Sequence, residues 1–407
     1  MKILIVTQYF WPEYFQINDF TTELVNRGNE VSVLTGLPNY PNGKFFRGYS
    51  FLSKRKEYYN GITIYRSPLI SRGSDSKIKL ILNYISFAFL ASIRLMFIKK
   101  KFDKIIVYAP SPITVGIPGI IAKYKFKAPV YLWVQDLWPE SISSAGGISN
   151  RHIIKIVNQL TILIYKYSNK ILVQSKGFIP YVLKQGVDEN KIIYFPNSTE
   201  SYHKKVSKDN EFKKLIPKGE TTLMFAGNIG ESQGFETIVR SAFYLKNLGY
   251  QLNYVILGDG RKKESIIKKI KELGVEKSFF FLGSFPIENI PYFLTHADAL
   301  LVTLKKSKNF SLTIPSKIQT YMANSKPIIA SLDGEGARVI IESKCGFVSP
   351  SEDYVSFSKS IINFLKLNHK EREVMGSNAR KYFDNEFERS KQLDQITSIL
   401  NKNINYK

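Results

Sequence analysis

A glycine loop in the middle of the chain is the feature that most constrains the fold. Leu223 to Ala226 form an apolar run that stops at Gly227, and an amphipathic pattern begins near Phe235. This order indicates a strand, a glycine loop and a helix, whose backbone N–H groups suit a phosphate or diphosphate at the positive end of the helix. Because the loop starts at residue 227 of 407, it predicts two nucleotide-fold-like halves with a ligand between them.

Length and composition set the class of the protein. A chain of 407 residues exceeds the usual size of one hydrophobic core, so two domains are expected. The single cysteine, Cys345, excludes a disulfide framework and any multi-cysteine metal site. Since the four histidines show no ligand spacing either, we expect no structural metal.

Apolar and amphipathic runs alternate along the chain in the manner of a doubly wound α/β fold. Seven strands are predicted in an N-terminal domain of residues 1–200 and six in a C-terminal domain of residues 201–371. Ser201–Lys218 is polar and lysine-rich, and we interpret it as the linker. Residues 372–407 are predicted to be a helical segment that braces back towards the N-terminal domain.

The net charge of +24 favours a polyanionic partner, which is a nucleic acid, an anionic lipid surface or a phosphorylated ligand. A zinc-finger, helix-turn-helix or RNP-like motif is absent from the sequence, so we do not expect nucleic-acid binding. A compositional origin is the alternative, because the Lys-, Ile- and Asn-rich usage fits an AT-rich coding sequence.

One apolar segment, Ile78–Ile98, resembles a membrane span and ends in Lys99, Lys100 and Lys101. Arg94 within it is costly in a bilayer. We therefore predict a helix that packs on the sheet, with its basic end at a membrane surface. The N-terminus lacks the long apolar stretch of a signal peptide.

Open α/β sheets bind ligands at the carboxyl ends of their strands, so the segments that follow the predicted strands form the candidate site. In the first half these segments are 8–18, 36–42, 109–114 and 136–144, and in the second half they are 227–234, 258–261, 283–285, 303–317 and 331–336. Glycines, prolines and charged residues cluster there, which indicates a cleft between the two domains.

Motifs in these segments carry a family resemblance. In chain order they are Tyr9–Glu13 (YFWPE), Leu34–Pro41 (LTGLPNYP), Val134–Ser141 (VQDLWPES), Gly227–Gly230 (GNIG) with Gln233 and Gly234, Gly258–Gly260 (GDG), Ile314–Ile318 (IPSKI) and Asp333–Arg338 (DGEGAR). Together they resemble the retaining sugar-nucleotide glycosyltransferases of family 4, and within them the WbuB-like branch of bacterial O-antigen and capsule transferases. The resemblance implies the α/β GT-B architecture, two Rossmann-like domains that face each other across a cleft.

The chain departs from the family pattern at the donor diphosphate. Many members place an Arg and a Lys there, and Asn228 and Gln233 occupy those positions here. The resemblance therefore makes Lys317, at the start of a predicted helix, the first candidate for the missing positive charge, with Arg261 second. The alternative for Lys317 is a solvated helix residue.

The family's pair of glutamates spaced E-x7-E is also missing, because Leu312 and Thr320 take those positions. Glu335 is the acid expected to reach the ribose or the donor sugar, with an ordinary acidic turn residue as the alternative. The donor-binding set implied by the resemblance is Gly227, Asn228, Gly230, Gln233, Arg261, Phe285, Ser316, Lys317, Glu335 and Gly336.

Asp136 leads the candidate catalytic residues, because it follows the apolar run Val130–Val134 where family members often have a catalytic histidine. A carboxylate there can act as a base or orient a hydroxyl, and a helix cap is the alternative. Glu13, after the first strand, is a candidate contact of the acceptor or of the transferred sugar. Lys317 completes this catalytic set by stabilising the departing diphosphate.

The resemblance implies transfer of a sugar from a nucleotide donor to a polyprenyl-diphosphate-linked glycan without a metal cofactor. A UDP-linked N-acetylated deoxyhexose such as L-N-acetylfucosamine is the donor that the branch suggests. The enzyme is expected in the cytoplasm, peripheral on the anionic inner face of a bacterial cytoplasmic membrane. Two alternatives stay open at this point: a GT-B sugar-nucleotide epimerase, and an inactive transferase-like assembly scaffold.

Overall fold

The computed structural model describes residues 1–52, 55–73, 76–141, 150–198, 206–207, 210–402 and 404. The chain divides into two units, of which unit 1 contains residues 1–195 and 393–407 and unit 2 contains residues 196–392. The sequence placed these divisions at 200/201 and 371/372. Both units are α/β with sheets of mainly parallel strands, so the predicted α/β class is confirmed.

Unit 1 contains a sheet of eight strands within the described residues, in the order β3-β4-β2-β1-β5-β6-β7-β8. Their bounds are β1 Lys2–Val6, β2 Glu30–Gly36, β3 Lys56–Tyr59, β4 Ile62–Ser67, β5 Lys104–Ala109, β6 Val130–Val134, β7 Lys170–Val173 and β8 Ile192–Tyr194. The central strands are apolar on both faces because helices cover the two sides. The edge strand β3 pairs antiparallel with β4 and was missed by the sequence analysis, since its KEYY run is polar and half-exposed.

The helices of unit 1 lie between these strands. They are Gln16–Asn26, Lys77–Met96, Gly116–Phe126, Arg151–Tyr167 and Ile179–Lys184. Within the described residues, Lys77–Met96 is the helix that is long and apolar enough to cross a membrane by length and composition. Its inner face packs into unit 1 through Phe87, Ala91 and Leu95, which are fully buried.

The described residues of unit 2 form a six-stranded parallel sheet in the order β11-β10-β9-β12-β13-β14. Its strands are β9 Thr221–Ala226, β10 Leu252–Leu257, β11 Phe279–Gly283, β12 Ala299–Thr303, β13 Ile328–Ser331 and β14 Gly346–Ser349. Its helices are Glu236–Asn247, Lys263–Glu272, Ile290–Leu294, Lys308–Ser311, Ser316–Ala323, Glu335–Glu342, Tyr354–Leu365 and His369–Glu386. Alternate residues of β9 enter opposite cores, Met224 on one face and Phe225 on the other, as a doubly covered strand requires.

The C-terminal segment, predicted to be helical, forms two helices within its described residues. His369–Glu386 packs Ala379 and Phe383 into a core of unit 2. Arg389–Asn401 carries Leu393, Ile396 and Leu400 into the core of unit 1.

The predicted linker falls partly outside the described residues. Its described end includes a 3-10 turn at Glu211–Leu215, and the Phe212 ring lies 4.5 Å from the Phe293 ring in unit 2.

Candidate functional site

Two glycines shape the carboxyl end of the sheet in unit 2. Gly227 ends β9 with φ +140° and Gly258 ends β10 with φ +128°, which are conformations that side chains disfavour. The Gly227 N–H donates to the Leu257 carbonyl at 2.8 Å. A Cβ atom on Gly258 would lie 2.0 Å from the Gly227 carbonyl oxygen. The two loops therefore approach so closely that only glycine fits at these positions.

Lys317 lies directly beneath this loop. Helix Ser316–Ala323 places its ammonium 4.6 Å from the centre of the Phe225 ring, and its Cε atom would be 2.6 Å from a Cβ on Gly227. Lys317 Nζ donates a hydrogen bond to Gln233 Oε1. Burial of the ammonium lowers the pKa of Lys317 from 10.5 to about 8, because desolvation penalises the charged form.

Gln233 is held in place by the backbone around it. Its N–H donates to the Gly230 carbonyl at 3.1 Å, and its own carbonyl accepts from Thr303 Oγ1 at 2.6 Å. The structure thus brings Gly227, Gln233 and Lys317 into one cluster. The amide that replaces the family's lysine contacts the lysine proposed to compensate for it.

The other residues expected around the donor have separate surroundings. Asn228 and Arg261 are exposed in their loops, and Ser316 is the exposed first residue of helix Ser316–Ala323. Glu335 forms a two-point ion pair with Arg338, at 3.0 and 3.1 Å. Glu335 is the first residue of helix Glu335–Glu342, and its carboxylate is already paired with a cation.

Gly336 and Phe285 serve packing in unit 2. A Cβ on Gly336 would lie 3.1 Å from Ile318 Cδ1, so this glycine lets helix Glu335–Glu342 approach helix Ser316–Ala323. The Phe285 ring packs 4.4 Å from that of Phe293.

A Cβ on Gly230 would lie 2.9 Å from Asn228 Nδ2, which places the Asn228 amide over the glycine loop.

Glu13 is a buried carboxylate of unit 1 that accepts three backbone hydrogen bonds. Glu13 Oε1 accepts from the N–H groups of Asn39 and Tyr40, both at 2.7 Å, and Oε2 accepts from that of Phe10 at 3.3 Å. Burial raises the pKa of Glu13 to about 7, although the three N–H groups oppose the rise. This side chain therefore ties the loop after β1 to the loop after β2.

Asp136 follows β6 at the same edge of the sheet, and its carboxylate forms no hydrogen bond within the described part of unit 1. Burial raises its pKa from 3.8 to about 6. The segment 142–149, which follows the Asp136 motif, lies outside the described residues. The alternative role of Asp136, as the cap of a following helix, falls partly on that segment. A half-buried carboxylate that lacks a hydrogen-bonded partner suits an incoming hydroxyl.

Two residues near Asp136 were missed by the sequence analysis, Tyr84 and Arg72. Burial raises the pKa of Tyr84, the Arg72 guanidinium lowers it and the Asp136 carboxylate raises it, which places both charges close to the phenol. The Arg72 guanidinium lies 5.1 Å from the centre of the Tyr40 ring. Tyr84 lies within the segment that was predicted to be a packing helix, and Arg72 lies between two predicted elements, so only the tertiary fold reveals them.

A buried amide network supports this group. Gln8 Nε2 donates to Asn83 Oδ1 at 2.6 Å, and Asn83 Nδ2 donates to Asn39 Oδ1 at 3.4 Å and to the Ile70 carbonyl at 2.6 Å. Asn83 and Tyr84 lie on helix Lys77–Met96, so this helix connects the candidate site with the outer surface. Across the described residues, no group of three or more His, Cys, Asp or Glu is arranged to hold a metal ion.

Comparison with known protein families gives one match in the second half of the chain. Residues 206–382 match the family described as glycosyl transferases group 1. This segment contains the glycine loop, Lys317 and Glu335.

Two bacterial proteins are similar over most of their length. The putative colanic acid biosynthesis glycosyl transferase WcaI of Escherichia coli is 27% identical over 338 residues, which cover 79% of this chain and 81% of that protein. The probable glycosyltransferase WbjE of Pseudomonas aeruginosa is 26% identical over 308 residues, 74% of each chain.

Solved structures show the same fold. Anabaena Alr3699/HepE in complex with UDP has a TM-score of 0.71 at 13% identity, covering 98% of this chain and 99% of that one. WaaG, a glycosyltransferase involved in lipopolysaccharide biosynthesis, has a TM-score of 0.66 at 12% identity, covering 99% and 100%. At such identities the likeness concerns the fold alone.

Proposed function

We propose that this chain is a glycosyltransferase of group 1, and we propose a donor, an acceptor and a chemical role for each of its units. Unit 2 binds the diphosphate of a nucleotide sugar against the glycine loop. The observation that carries this proposal is the cluster of Gly227, Gln233 and Lys317, where a desolvated ammonium lies beneath the loop that follows β9. A desolvated cation of this kind gains most when a dianion replaces its lost water.

The nucleotide that we propose is UDP. The structures of HepE with UDP and with UDP-glucose support it, because they share the fold. The donor sugar that we propose is an N-acetylated deoxyhexose such as L-N-acetylfucosamine, which rests on the resemblance of the motifs to the WbuB-like branch. The relatives named for colanic acid and lipopolysaccharide synthesis support a role in bacterial surface polysaccharide synthesis.

The acceptor that we propose is a hydroxyl of a polyprenyl-diphosphate-linked oligosaccharide, bound by unit 1. The Asp136 carboxylate accepts a hydrogen bond from this hydroxyl and orients it, and Glu13 holds the adjoining loops in register. In a retaining transfer, an oxygen of the departing diphosphate takes the hydroxyl proton as the new glycosidic bond forms and the sugar–phosphate bond breaks. Loop amides and Lys317 stabilise the negative charge that develops on the diphosphate.

We further propose that the reaction needs no metal, because Lys317 and the helix and loop amides neutralise the diphosphate. Chelation with EDTA is then expected to leave transfer within about twofold of the untreated enzyme. A loss of activity that added Mg²⁺ restores would contradict this part of the proposal.

Thermal-shift binding to UDP, GDP, dTDP and their sugar conjugates tests the donor site. We expect UDP to raise the melting temperature of the wild type, and Lys317→Ala to reduce this shift strongly. Lys268→Ala, a matched substitution of an exposed lysine on helix Lys263–Glu272, should keep the full shift. A shift with GDP or dTDP alone would overturn the choice of UDP, and no shift with any nucleotide would overturn the donor site itself.

A further inference from the structure

Helix Lys77–Met96 has an outer face that the rest of unit 1 leaves uncovered. Large apolar side chains recur on it at intervals of three and four residues, the spacing of one helical face. They are Ile78 (71% exposed), Ile81 (38%), Leu82 (42%), Ile85 (56%), Phe89 (64%), Ile93 (43%) and Met96 (66%). We call this set the outer stripe. A contiguous apolar surface of this kind marks a site of interaction.

The surroundings of the outer stripe are strongly basic. Residues 76–135 contain ten Lys and Arg residues and a single acidic residue, Asp103. Lys99 and Lys101 are exposed just beyond the helix. Lys125 Nζ donates to the Met96 carbonyl at 2.8 Å and also to the Leu95 carbonyl. Positive charge therefore surrounds the C-terminal end of an exposed apolar face, the combination that binds anionic lipid surfaces.

The inner face of the same helix shows why it should lie on a membrane rather than cross it. Asn83 is fully buried and bonded to Gln8, Asn39 and the Ile70 carbonyl. Arg94 donates to the Arg55 carbonyl at 3.1 Å. To span a bilayer, the helix would have to give up these bonds and expose an amide and a guanidinium to hydrocarbon, which is costly.

We propose that the outer stripe inserts into the headgroup region of an anionic bilayer while the helix stays packed in unit 1. The apolar side chains enter the boundary of the acyl chains, and the flanking lysines contact lipid phosphates. The occupant is a lipid surface rather than a second copy of the chain, because the exposed lysines at both ends of the helix disfavour self-association of this face. They are Lys77, Lys79, Lys99 and Lys101.

This inference rests on the proposed function in one respect only, namely what membrane binding through the outer stripe would be used for. Asn83 and Tyr84 extend from the inner face of this helix to the candidate acceptor site, so docking would bring that site to the lipid headgroups. The glycan of an acceptor anchored in the membrane would then lie within reach of Asp136. Membrane binding itself does not depend on the identity of donor or acceptor.

Vesicle flotation with the full-length protein tests the proposal. We expect wild type to float with vesicles of phosphatidylglycerol and to remain unbound with phosphatidylcholine alone, and binding to weaken as salt rises. The double variant Ile85→Glu/Phe89→Glu should lose about tenfold or more in vesicle affinity, because both side chains leave the apolar phase as charges. Lys99→Gln/Lys101→Gln should weaken binding about tenfold by loss of headgroup attraction.

A matched double variant in unit 2, Ile341→Glu/Val374→Glu, replaces side chains that are 63% and 52% exposed and should bind vesicles as wild type does. Unchanged binding of Ile85→Glu/Phe89→Glu, with an unchanged melting temperature, would overturn the proposal. So would equal binding to both lipids, a concentration-dependent dimer without vesicle binding, or retention in the vesicles after alkaline carbonate, which marks a spanning helix.

The same variants separate this inference from the proposed function. If the proposal holds, Ile85→Glu/Phe89→Glu keeps its UDP-induced thermal shift and its transfer to a short-chain, water-soluble acceptor, and loses transfer only to an acceptor embedded in vesicles. If the protein binds vesicles through the outer stripe but no nucleotide raises its melting temperature, the proposed docking surface is supported and the proposed donor site is overturned.

Discussion

Both units place a desolvated charged group at the carboxyl edge of a parallel sheet, but the charges have opposite signs. In unit 2 burial lowers the pKa of the Lys317 ammonium to about 8. In unit 1 burial raises the pKa of the Asp136 carboxyl to about 6. The sheet topology is nearly the same in both units, so the side chain buried at the edge decides the ligand. A cation among amides suits a diphosphate, and a carboxyl among phenols suits a hydroxyl.

The two edges are also built differently. Unit 2 relies on glycines that let backbone segments approach within van der Waals contact. Unit 1 relies on a chain of buried amides that joins Gln8, Asn39 and Asn83 across 75 residues of sequence. Backbone shape should therefore limit which substitutions the site in unit 2 tolerates, and side-chain chemistry should limit those in unit 1. Substitutions can separate these two cases.

The largest effect is expected for Gly258→Ala. The new Cβ would meet the Gly227 carbonyl oxygen at 2.0 Å, and the backbone keeps φ +128°. Clash and strain together should cost about 4 kcal/mol of unfolding free energy. Chemical denaturation measures this cost, with Gly249→Ala as control, where φ is +85° and nothing lies within 4 Å of the Cβ. The control should cost about 1 kcal/mol, and equal costs would mean that close approach does not limit this site.

Asp136→Asn is expected to lower kcat about 100-fold and to leave the affinity for UDP unchanged. The amide keeps the size of the side chain but orients the hydroxyl poorly. Because the carboxyl titrates at about pH 6, wild-type kcat should fall as pH decreases below 6, and the variant should lack this acid limb. Steady-state kinetics with Asp188→Asn as control, an exposed turn residue, provide the test. Normal turnover of Asp136→Asn would return this residue to a capping role.

Lys317→Ala should weaken UDP binding about 10- to 30-fold, the value of a charge-assisted hydrogen bond in a desolvated site. Its pH dependence provides the sharper test. A bound diphosphate favours the protonated ammonium, so wild-type affinity should be constant below about pH 8 and should fall as pH rises above it. Isothermal titration at pH 7 to 9 should show this slope in wild type and none in the variant. A slope that persists in Lys317→Ala would assign the titration to another group.

The difference between the edges also explains what the sequence could predict. The α/β class and the glycine loop follow from local runs of about ten residues, because hydrophobic periodicity and glycine are local signals. The GT-B fold was implied by the resemblance of the motifs to a known family. The edge strand β3 lacks such a run and was missed. The surroundings of Asp136 come from Arg72 and Tyr84, which are more than 50 residues away in sequence, and no local pattern reports such a distance. The contact of Lys317 with Gln233 is likewise tertiary, although each residue was singled out separately.

The smallest effect is expected for Arg261→Ala. Arg261 was the second candidate for the diphosphate cation, but its side chain is exposed in the turn before helix Lys263–Glu272, where water and salt screen its charge. UDP affinity should therefore fall less than about threefold, and the loss should shrink further in 0.5 M salt, whereas the loss in Lys317→Ala should persist there because that ammonium is desolvated. A loss of tenfold or more in UDP affinity for Arg261→Ala would mean that an exposed arginine, and not the desolvated Lys317, replaces the basic pair of the family. The contrast between the two edges would then no longer rest on desolvation.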